Sequence, residues 1–377
     1  MKNRLSCAIV ALVLSVFLMI AATVQAEEES LVRTTSSQIA LKNLNYLIRR
    51  GELQVNAAPH DSAVVAAYLE VLLMRVSFLN TFNDFDRALQ VTQELIRGNP
   101  NDPRTLLQSA RVQQTLHRFP AALALLNRAA AITLESPVVE QASFQHELDL
   151  QYVIIKLAGA ETNQALSILE SLKETSTGAV SAADLAVFFA AAYRSQGLLE
   201  AADAELVKSL EHWDRITPFS VAWVSFQRGE VWVGVDDARA QRRYEEALHY
   251  LPEYVSARVH LAELKEKHGD TSAAIKLLKP IAEGQDPEPA GRLAEFLAAA
   301  GESKQSLAYK EMALHGWQLL LDRYPLTFAD HAAEFWLGAG EDPELALEWA
   351  ARNYTNQPTP KAKALLLNAT LATENPK

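Results

Sequence analysis

The pattern of apolar and polar positions repeats many times along the chain. Each recurrence begins with alanine, has a large residue four positions later and a small or apolar residue three positions after that. Ala240, Tyr244, Ala247 and a following Pro252 show the full pattern. Residues with this spacing share one face of an α-helix. Each recurrence therefore predicts a helix with a small residue at a fixed point on its buried face.

The recurring alanine returns after 34 residues in two intervals, Ala88 to Ala122 and Ala240 to Ala274, and after 37 to 43 residues in the intervals between, which implies short insertions. It occurs as Ala88, Ala122, Ala165, Ala202, Ala240, Ala274 and Ala346. A small residue of this kind lets two helices cross closely. Because one helix pair cannot bury its apolar face alone, the pattern predicts stacked pairs that share a core.

Helix starts and turns support an interpretation as helix pairs. Three predicted starts combine an N-cap residue with proline at the first helical position, namely Asp102-Pro103, Ser136-Pro137 and Asp342-Pro343. Four predicted turns within pairs contain a glycine that can adopt positive φ, namely Gly197, Gly269, Gly301 and Gly340.

The repeat resembles the tetratricopeptide repeat family, whose unit is a 34-residue helix–turn–helix. Phe189, Ala190 and Tyr193, followed by Gly197, match the pattern of the family's first helix. The resemblance covers about residues 69–358. It implies an all-α fold, a right-handed α-solenoid of about eight units with capping helices at its N- and C-terminal ends.

The predicted caps lie in residues 27–68 and 359–377. The second cap is predicted to run from Pro360 to Leu371 with Lys361 facing outward. Because solenoids need polar-faced ends to stop further stacking, we expect a complete array with no separate catalytic domain.

Residues 1–26 have the pattern of a secretory signal peptide. Lys2 and Arg4 precede an apolar stretch over residues 7–22, and the pattern predicts cleavage after Ala26. The alternative is an uncleaved membrane anchor, because the stretch approaches the roughly 18–20 residues that span a bilayer. Both alternatives predict a periplasmic or secreted location for the rest of the chain, and no other segment is predicted to span a membrane.

Charge and cysteine content narrow the range of partners. The chain has 35 basic and 46 acidic residues, a formal net charge of −11. Such a chain is repelled by nucleic-acid phosphates and by anionic lipid. We therefore predict no nucleic-acid partner, and no membrane contact unless the N-terminal segment is retained. The one cysteine, Cys7, lies in the candidate signal segment, so the rest offers no thiolate or disulfide.

The sequence has none of the phosphate-loop, nucleophile-elbow or zinc-protease motifs. None of its nine histidines pairs with another at the i, i+4 spacing of a helical metal site. We predict no catalytic residue, no metal and no cofactor, and hence no enzyme. An enzyme built on the array would need polar groups that converge in one groove, and the sequence displays no such set.

Residues 213–235 are unusually aromatic. They contain Trp213, Phe219, Trp223, Phe226 and Trp232. These side chains are predicted to fill the core at a junction between units. The alternative is an anchor site for a partner protein, since aromatic residues are enriched in binding hot spots.

The resemblance also implies where a partner binds, because the first helix of each unit lines the concave surface. The positions carried over are Arg104, Leu107, Arg111, Gln114, Arg194, Trp232, Glu263, Glu266 and Lys267. The predicted function is a protein-interaction scaffold of the periplasm or cell envelope that holds a protein or peptide in this groove. The alternatives are a membrane-anchored subunit of an envelope assembly machine, and a helical repeat protein that binds a small ligand or is catalytic.

Overall fold

The computed structural model describes residues 32–133, 138–175, 182–212 and 217–374. Within these ranges the chain forms eighteen α-helices and no strand. Residues 35–377 form one compact unit, to which every helix belongs. The predicted signal peptide, the Ser136-Pro137 helix start and Trp213 lie outside the described residues.

The helices are arranged as eight pairs between two single helices. The single helices are α1 (Ser37–Ala57) and α18 (Pro360–Glu374). The first helices of the pairs are α2 (Ser62–Leu79), α4 (Pro103–Thr115), α6 (Val138–Ala158), α8 (Ala182–Ser195), α10 (Pro218–Trp232), α12 (Val255–Lys267), α14 (Glu288–Ala299) and α16 (Ala329–Leu337). The second helices are α3 (Asp84–Gly98), α5 (Phe119–Thr133), α7 (Thr162–Thr175), α9 (Leu199–His212), α11 (Asp237–Tyr250), α13 (Thr271–Leu278), α15 (Ser303–Arg323) and α17 (Pro343–Asn356). The predicted all-α helical-repeat fold is confirmed.

The alanine repeat marks the tightest contacts of the core. All seven recurring alanines have no exposed surface. Gly229 serves the same purpose on α10, because a Cβ atom there would lie 2.3 Å from the ring of Tyr244 on α11. Small residues thus occupy the points of closest approach between helices.

Most of the predicted helix ends are confirmed. The carboxylates of Asp102 and Asp342 cap α4 and α17, accepting backbone N–H groups at 2.9 Å and 3.0 Å. Gly197, Gly269 and Gly301 have φ angles of 74°, 82° and 80° in the turns within their pairs.

The turn of the eighth pair differs from its prediction. Glu341, not Gly340, adopts the positive φ, at 55°. Gly340 is needed for space instead, because a Cβ atom there would lie 2.5 Å from the indole of Trp336.

The outer surfaces of the two end helices are less polar than predicted. Ile39 and Leu53 on α1 are 53% and 72% exposed, and Leu367 and Leu371 on α18 are 59% and 49% exposed. Both end helices therefore present apolar side chains to the outside.

Helix α2 also departs from the prediction that no further segment could span a membrane. It is the one helix among the described residues that is long and apolar enough to do so by length and composition. Its buried residues include Val65, Tyr68 and Leu72, and it packs against α1, α3 and α4. Such a core helix passes the same composition test as a membrane span.

The array curves with the first helices on the inside. Neighbouring first helices contact one another in the pairs α2–α4, α4–α6, α6–α8, α12–α14 and α14–α16, and α16 contacts α18. We call the surface formed by these helices the inner face.

Residues far apart in sequence meet where the N-terminal units contact the C-terminal ones. The turn between α2 and α3 contacts the loop before α14, where the Asn80 side-chain amide donates to Asp286 at 2.6 Å. The ring of Phe82 in that turn lies 4.5 Å from the ring of Phe328, centroid to centroid. The hydroxyl of Thr327 donates to the Leu116 carbonyl at 3.0 Å. We call these contacts, between residues 80–86 or 116–117 and residues 285–286 or 323–328, the clasp.

Phe78, at the end of α2, extends the contact between distant units. Its ring lies 5.2 Å from that of Phe219 and 4.8 Å from that of Tyr254. Helices α1 and α2 also contact α10 and α12, respectively. The chain's own N-terminal helices therefore cover part of the inner face at the fifth and sixth pairs.

Candidate functional site

Charged side chains form a series of ion pairs along the inner face, each joining one first helix to the next. We call this series the ladder. It consists of Arg111–Glu147 (3.6 Å), Arg194–Glu230 (3.2 Å), Glu230–His260 (3.6 Å), Glu263–Arg292 (2.7 Å), Arg292–Glu334 (3.0 Å) and Glu288–His331 (3.2 Å).

Helical spacing explains why these groups line up. His260 and Glu263 are three residues apart on α12, and His331 and Glu334 are three apart on α16. Residues at this spacing lie on the same side of a helix. On these sides, the charged side chains of α12 meet those of α10 and α14, and the charged side chains of α16 meet those of α14.

Glu230 lies near the middle of the ladder. It accepts a hydrogen bond from the Tyr244 hydroxyl at 2.6 Å, and its carboxylate faces both His260 and Arg194. Burial alone would raise the pKa of Glu230, but the charges of His260 and Arg194 lower it to about 2. The carboxylate is therefore ionised at neutral pH.

His260 is the partner of two carboxylates. Its Nδ1 lies 3.6 Å from Glu230 and 3.4 Å from Glu263. Burial alone would lower the pKa of His260, but the two carboxylates raise it to about 9. His260 is thus a cation at neutral pH, unlike a solvated histidine.

Arg292 joins three helices at the C-terminal end of the ladder. Its guanidinium contacts Glu263 on α12 at 2.7 Å, Glu334 on α16 at 3.0 Å and Glu295 on its own helix at 3.6 Å. Burial alone would lower the pKa of Arg292, but the surrounding carboxylates raise it. Lys361 on α18 is exposed, as predicted. Its partial desolvation would lower its pKa, but the nearby Glu334 and Asp330 raise it.

Glu288 of the ladder and the neighbouring Asp286 differ in their titration. Burial, together with the charge of Glu288, raises the pKa of Asp286 to about 6. Burial would raise the pKa of Glu288 as well, but the charge and hydrogen bond of His331 lower it well below its usual range. Asp286 accepts from Asn80 and also from the Glu288 backbone N–H, at 2.9 Å, so it links the clasp to the ladder.

Glu288, His331 and Glu334 could together hold a metal ion. One ligand atom from each lies within 4.8 Å of the others, and carboxylate with imidazole suits several transition metals. However, Arg292 donates to Glu334 at 3.0 Å, and its positive charge opposes a divalent cation in the same place. The donor set therefore fits an ion-pair network better than a metal centre.

Three of the nine predicted groove residues lie in the interior. Leu107, Gln114 and Trp232 are only 1%, 5% and 3% exposed. The Gln114 amide donates to the Gln151 carbonyl at 2.8 Å, and Arg239 stacks 3.9 Å from the Trp232 ring. These three side chains pack between helices and offer a partner almost no surface.

The other six predicted residues retain some exposure. Arg111, Arg194 and Glu263 are half-buried and belong to the ladder. Glu266 is half-buried, and Lys267 is exposed at the end of α12, where it binds Asp237.

Arg104 is an accessible cation of the predicted groove. It is exposed, and its guanidinium lies 5.6 Å from the centroid of the Phe144 ring. Among the described residues it forms no ion pair.

The interpretation of the aromatic stretch as core is confirmed for its described members. Phe219, Phe226 and Trp232 are buried, and Trp223 is half-buried.

The convergence of polar groups on the inner face was not predicted from the sequence. Seven of the ten ladder residues were not among the predicted groove residues: Glu147, Glu230, His260, Glu288, Arg292, His331 and Glu334. A signal was present: His260 and His331 each have a glutamate three positions later. These histidine–carboxylate pairs have i, i+3 spacing, so the absence of histidine pairs at i, i+4 says nothing about them.

A separate cavity of about 710 Å³ lies beside the C-terminal end of the ladder. Its walls come from α14 to α18 and are mostly small or apolar, with Trp336 the largest side chain. Glu295, Lys310 and Glu341 supply charge, and burial raises the pKa of Glu295. The buried indole N–H of Trp336 has no hydrogen-bond partner among the described residues.

Comparison with known proteins identifies the repeat. Residues 238–294 match the family described as Tetratricopeptide repeat. The fold is similar to that of human IFIT1, solved as a dimer with m7Gppp-AAAA, at a TM-score of 0.51 and 13% identity, with 89% of this chain and 78% of that chain covered. No curated protein matches the sequence significantly.

Two further solved structures are similar over other lengths. One is the APC/C hetero-tetramer Cut9–Hcn1, at a TM-score of 0.46 and 13% identity, covering 86% of this chain and 52% of that chain. The other is TTC0263, a TPR protein of Thermus thermophilus, at a TM-score of 0.37 and 22% identity, covering 49% of this chain and 93% of that chain. The family match and the fold confirm the predicted tetratricopeptide repeats.

Proposed function

We propose that this tetratricopeptide-repeat solenoid is an exported scaffold that binds a segment of a partner protein along the inner face of its N-terminal half. Folds of this kind serve as protein-interaction scaffolds, and their concave surfaces hold extended or helical segments. Export is proposed from the pattern of residues 1–26. The prediction that the chain is not an enzyme stays a prediction, as does the one against nucleic-acid binding.

The accessible arginines of the N-terminal half carry the proposal. Arg104 is exposed and forms no ion pair among the described residues, and Arg111 has a carboxylate no nearer than 3.6 Å. By contrast, the ladder charges of the C-terminal half are bound to one another at 2.7–3.2 Å in three of their pairs. On the described part of the N-terminal inner face, a partner therefore finds Arg104 without an ion pair and Arg111 held by one long contact.

Guanidinium groups bind carboxylates through paired hydrogen bonds. Arg104 and Arg111 are seven residues apart on α4, two helical turns, so both lie on one side of the helix. We infer that the partner segment presents acidic side chains to these two arginines.

The test combines cross-linking in the native host with charge reversal. A photo-cross-linking amino acid replaces Arg104, and the adduct is identified by mass spectrometry. The affinity of the identified partner is then measured for Arg104→Glu/Arg111→Glu. We expect the double reversal to weaken binding at least tenfold, because it replaces two attractions with two repulsions.

Arg128 provides the matched control, since it is an exposed arginine on the second helix α5. A cross-linker at Arg128 should give no such adduct, and Arg128→Glu should leave the affinity unchanged. If the Arg104→Glu/Arg111→Glu variant binds the partner as tightly as the Arg128→Glu variant, the N-terminal inner face is not the binding site. Export is tested by sequencing the mature N-terminus, which we expect to begin at Glu27.

The C-terminal cavity favours a second candidate function, the binding of a small ligand. Its volume of about 710 Å³ is within the range of small-molecule sites, and mostly apolar walls with a few polar groups are typical of them. Ala298→Trp should fill the cavity. A metabolite that raises the melting temperature of the parent protein but not of this variant would establish the candidate, and a library without such a compound would count against it.

A further inference from the structure

Helix α1 has two apolar sides, only one of which is covered. Ala40, Leu44 and Ile48 are buried and pack toward the array. On the opposite side, three large apolar side chains are exposed: Ile39 (53%), Tyr46 (57%) and Leu53 (72%). Leu47 (44%) is exposed at the edge of the covered side, about 20° from Ala40 around the helix axis. At 100° per residue, Ile39, Tyr46 and Leu53 fall within 40° of one another around the helix axis. They form an apolar stripe about 20 Å long along the outermost helix.

Cations border this stripe. Lys42, Arg49 and Arg50 are all exposed on the same side of α1. The helix contains one carboxylate, Glu52, and it is directed away from the stripe, accepting from Arg87 of α3 at 2.7 Å. The outer side of α1 is therefore positive on a chain whose formal net charge is −11.

We propose that the outer side of α1 binds the surface of a bilayer that contains anionic lipid. An amphipathic helix with apolar side chains flanked by lysine and arginine lies in the membrane interface, with its apolar residues among the acyl chains. The long lysine and arginine side chains reach back to the headgroups, and tyrosine favours the same depth. Each cation near an anionic surface adds to the attraction.

The charge pattern favours a bilayer over a second copy of the chain. Pairing two α1 helices through their stripes would bring Lys42, Arg49 and Arg50 of both copies together, and like charges in contact oppose association. A bilayer accepts the whole stripe without such repulsion. This proposal differs from the prediction made from net charge, because the local charge of α1 has the opposite sign to the total. It does not depend on the proposed partner-binding function.

The test uses an environment-sensitive NBD fluorophore on the full-length chain. The dye is attached to Leu53→Cys in a Cys7→Ser background, so that one position is labelled. The matched control carries it on Leu367→Cys, an apolar residue of α18 with 59% exposure. Vesicles of phosphatidylcholine with a minority of phosphatidylglycerol are compared with vesicles of phosphatidylcholine alone. The dye is read out locally, so an N-terminal segment that inserts by itself does not mimic the result.

We expect the dye at position 53 to brighten and shift to the blue with anionic vesicles, and the dye at position 367 to stay unchanged. Lys42→Gln/Arg49→Gln/Arg50→Gln should weaken the vesicle affinity on the order of a hundredfold, and about 0.5 M salt should abolish the response. Equal responses at both positions, or equal responses to neutral and anionic vesicles, would overturn the proposal. So would a response without vesicles that grows with protein concentration, which would indicate self-association through α1.

Discussion

At the scale of single residues, Glu230 shows how one side chain connects its own helix to three others. Its carboxylate on α10 accepts from Tyr244 of α11 and faces Arg194 of α8 and His260 of α12. A partly buried charge is tolerated only with partners of this kind. The protonation states of the ladder therefore contribute directly to the stability of the inner face.

The protonation of His260 predicts a pH dependence of stability. Its pKa is about 9 in the folded chain and 6.5 as the reference value. Because the folded state binds the proton more tightly, this contribution is fully present below pH 6.5 and is lost as the pH rises through about 9. We expect the free energy of unfolding to fall by on the order of 2 kcal/mol between these values. The raised pKa of His331 acts in the same direction. Urea titrations at several pH values measure the effect.

His260→Gln should remove most of this fall, because glutamine cannot be protonated. His249→Gln is the control, since His249 lies on α11 outside the ladder. If the His260 variant and the parent lose stability in parallel across this range, His260 does not titrate as described.

At the scale of helices, the crossing of the two members of a pair depends on small side chains. Ala240 has no exposed surface, and Gly229 of the facing helix leaves no room for a Cβ atom against Tyr244. The distance between α10 and α11 is therefore fixed by residues that contribute little surface of their own.

A charged side chain at this crossing should disrupt the fifth pair. Ala240→Arg places a guanidinium in a closed, apolar position, and we expect a loss of about 3–5 kcal/mol in the free energy of unfolding. Circular dichroism during urea titration measures it. The control is Ala238→Arg, at an exposed position on the same helix, which should change the free energy of unfolding by less than about 0.5 kcal/mol. Arg239→Ala is not suitable as a control, because Arg239 stacks on Trp232. A fully stable Ala240→Arg variant would mean that this crossing is not close-packed.

The helices were predictable because their signals are local. The alanine spacing, the Asp102 and Asp342 caps and three of the four turn glycines depend on residues within one unit. The groove positions Leu107, Gln114 and Trp232 were misplaced because the exposed side of a first helix depends on what its neighbours cover. The sequence shows the helix but not the rotation of that helix against the next.

At the scale of the whole molecule, the clasp joins units that are far apart in sequence. Asn80 and Asp286 are separated by 206 residues, and Thr327 and Leu116 by 211. No local pattern predicts such contacts, because they depend on the curvature accumulated over several units. An open solenoid gains stability mostly between neighbouring units, whereas here distant units stabilise each other as well.

The clasp predicts a more open molecule when its central contact is removed. Phe82 is 7% exposed and packs on Phe328, so Phe82→Ala should cost about 3 kcal/mol. We expect a larger radius of gyration by X-ray scattering, faster hydrogen exchange in α2 and α3, and unchanged helicity. Leu319→Ala, at an exposed position of α15, should alter none of these. An unchanged radius for the Phe82 variant would show that the remaining contacts hold the closure alone.

The clasp also restricts how this architecture can change in length. An open repeat array can gain or lose an internal unit, since each unit recognises only its neighbours. Here, an added or deleted unit between the third and fifth pairs would rotate and shift everything after it. Asp286, Phe328 and Thr327 would then no longer lie opposite Asn80, Phe82 and Leu116. The clasp therefore fixes the number of repeats between the N-terminal and C-terminal units that it joins.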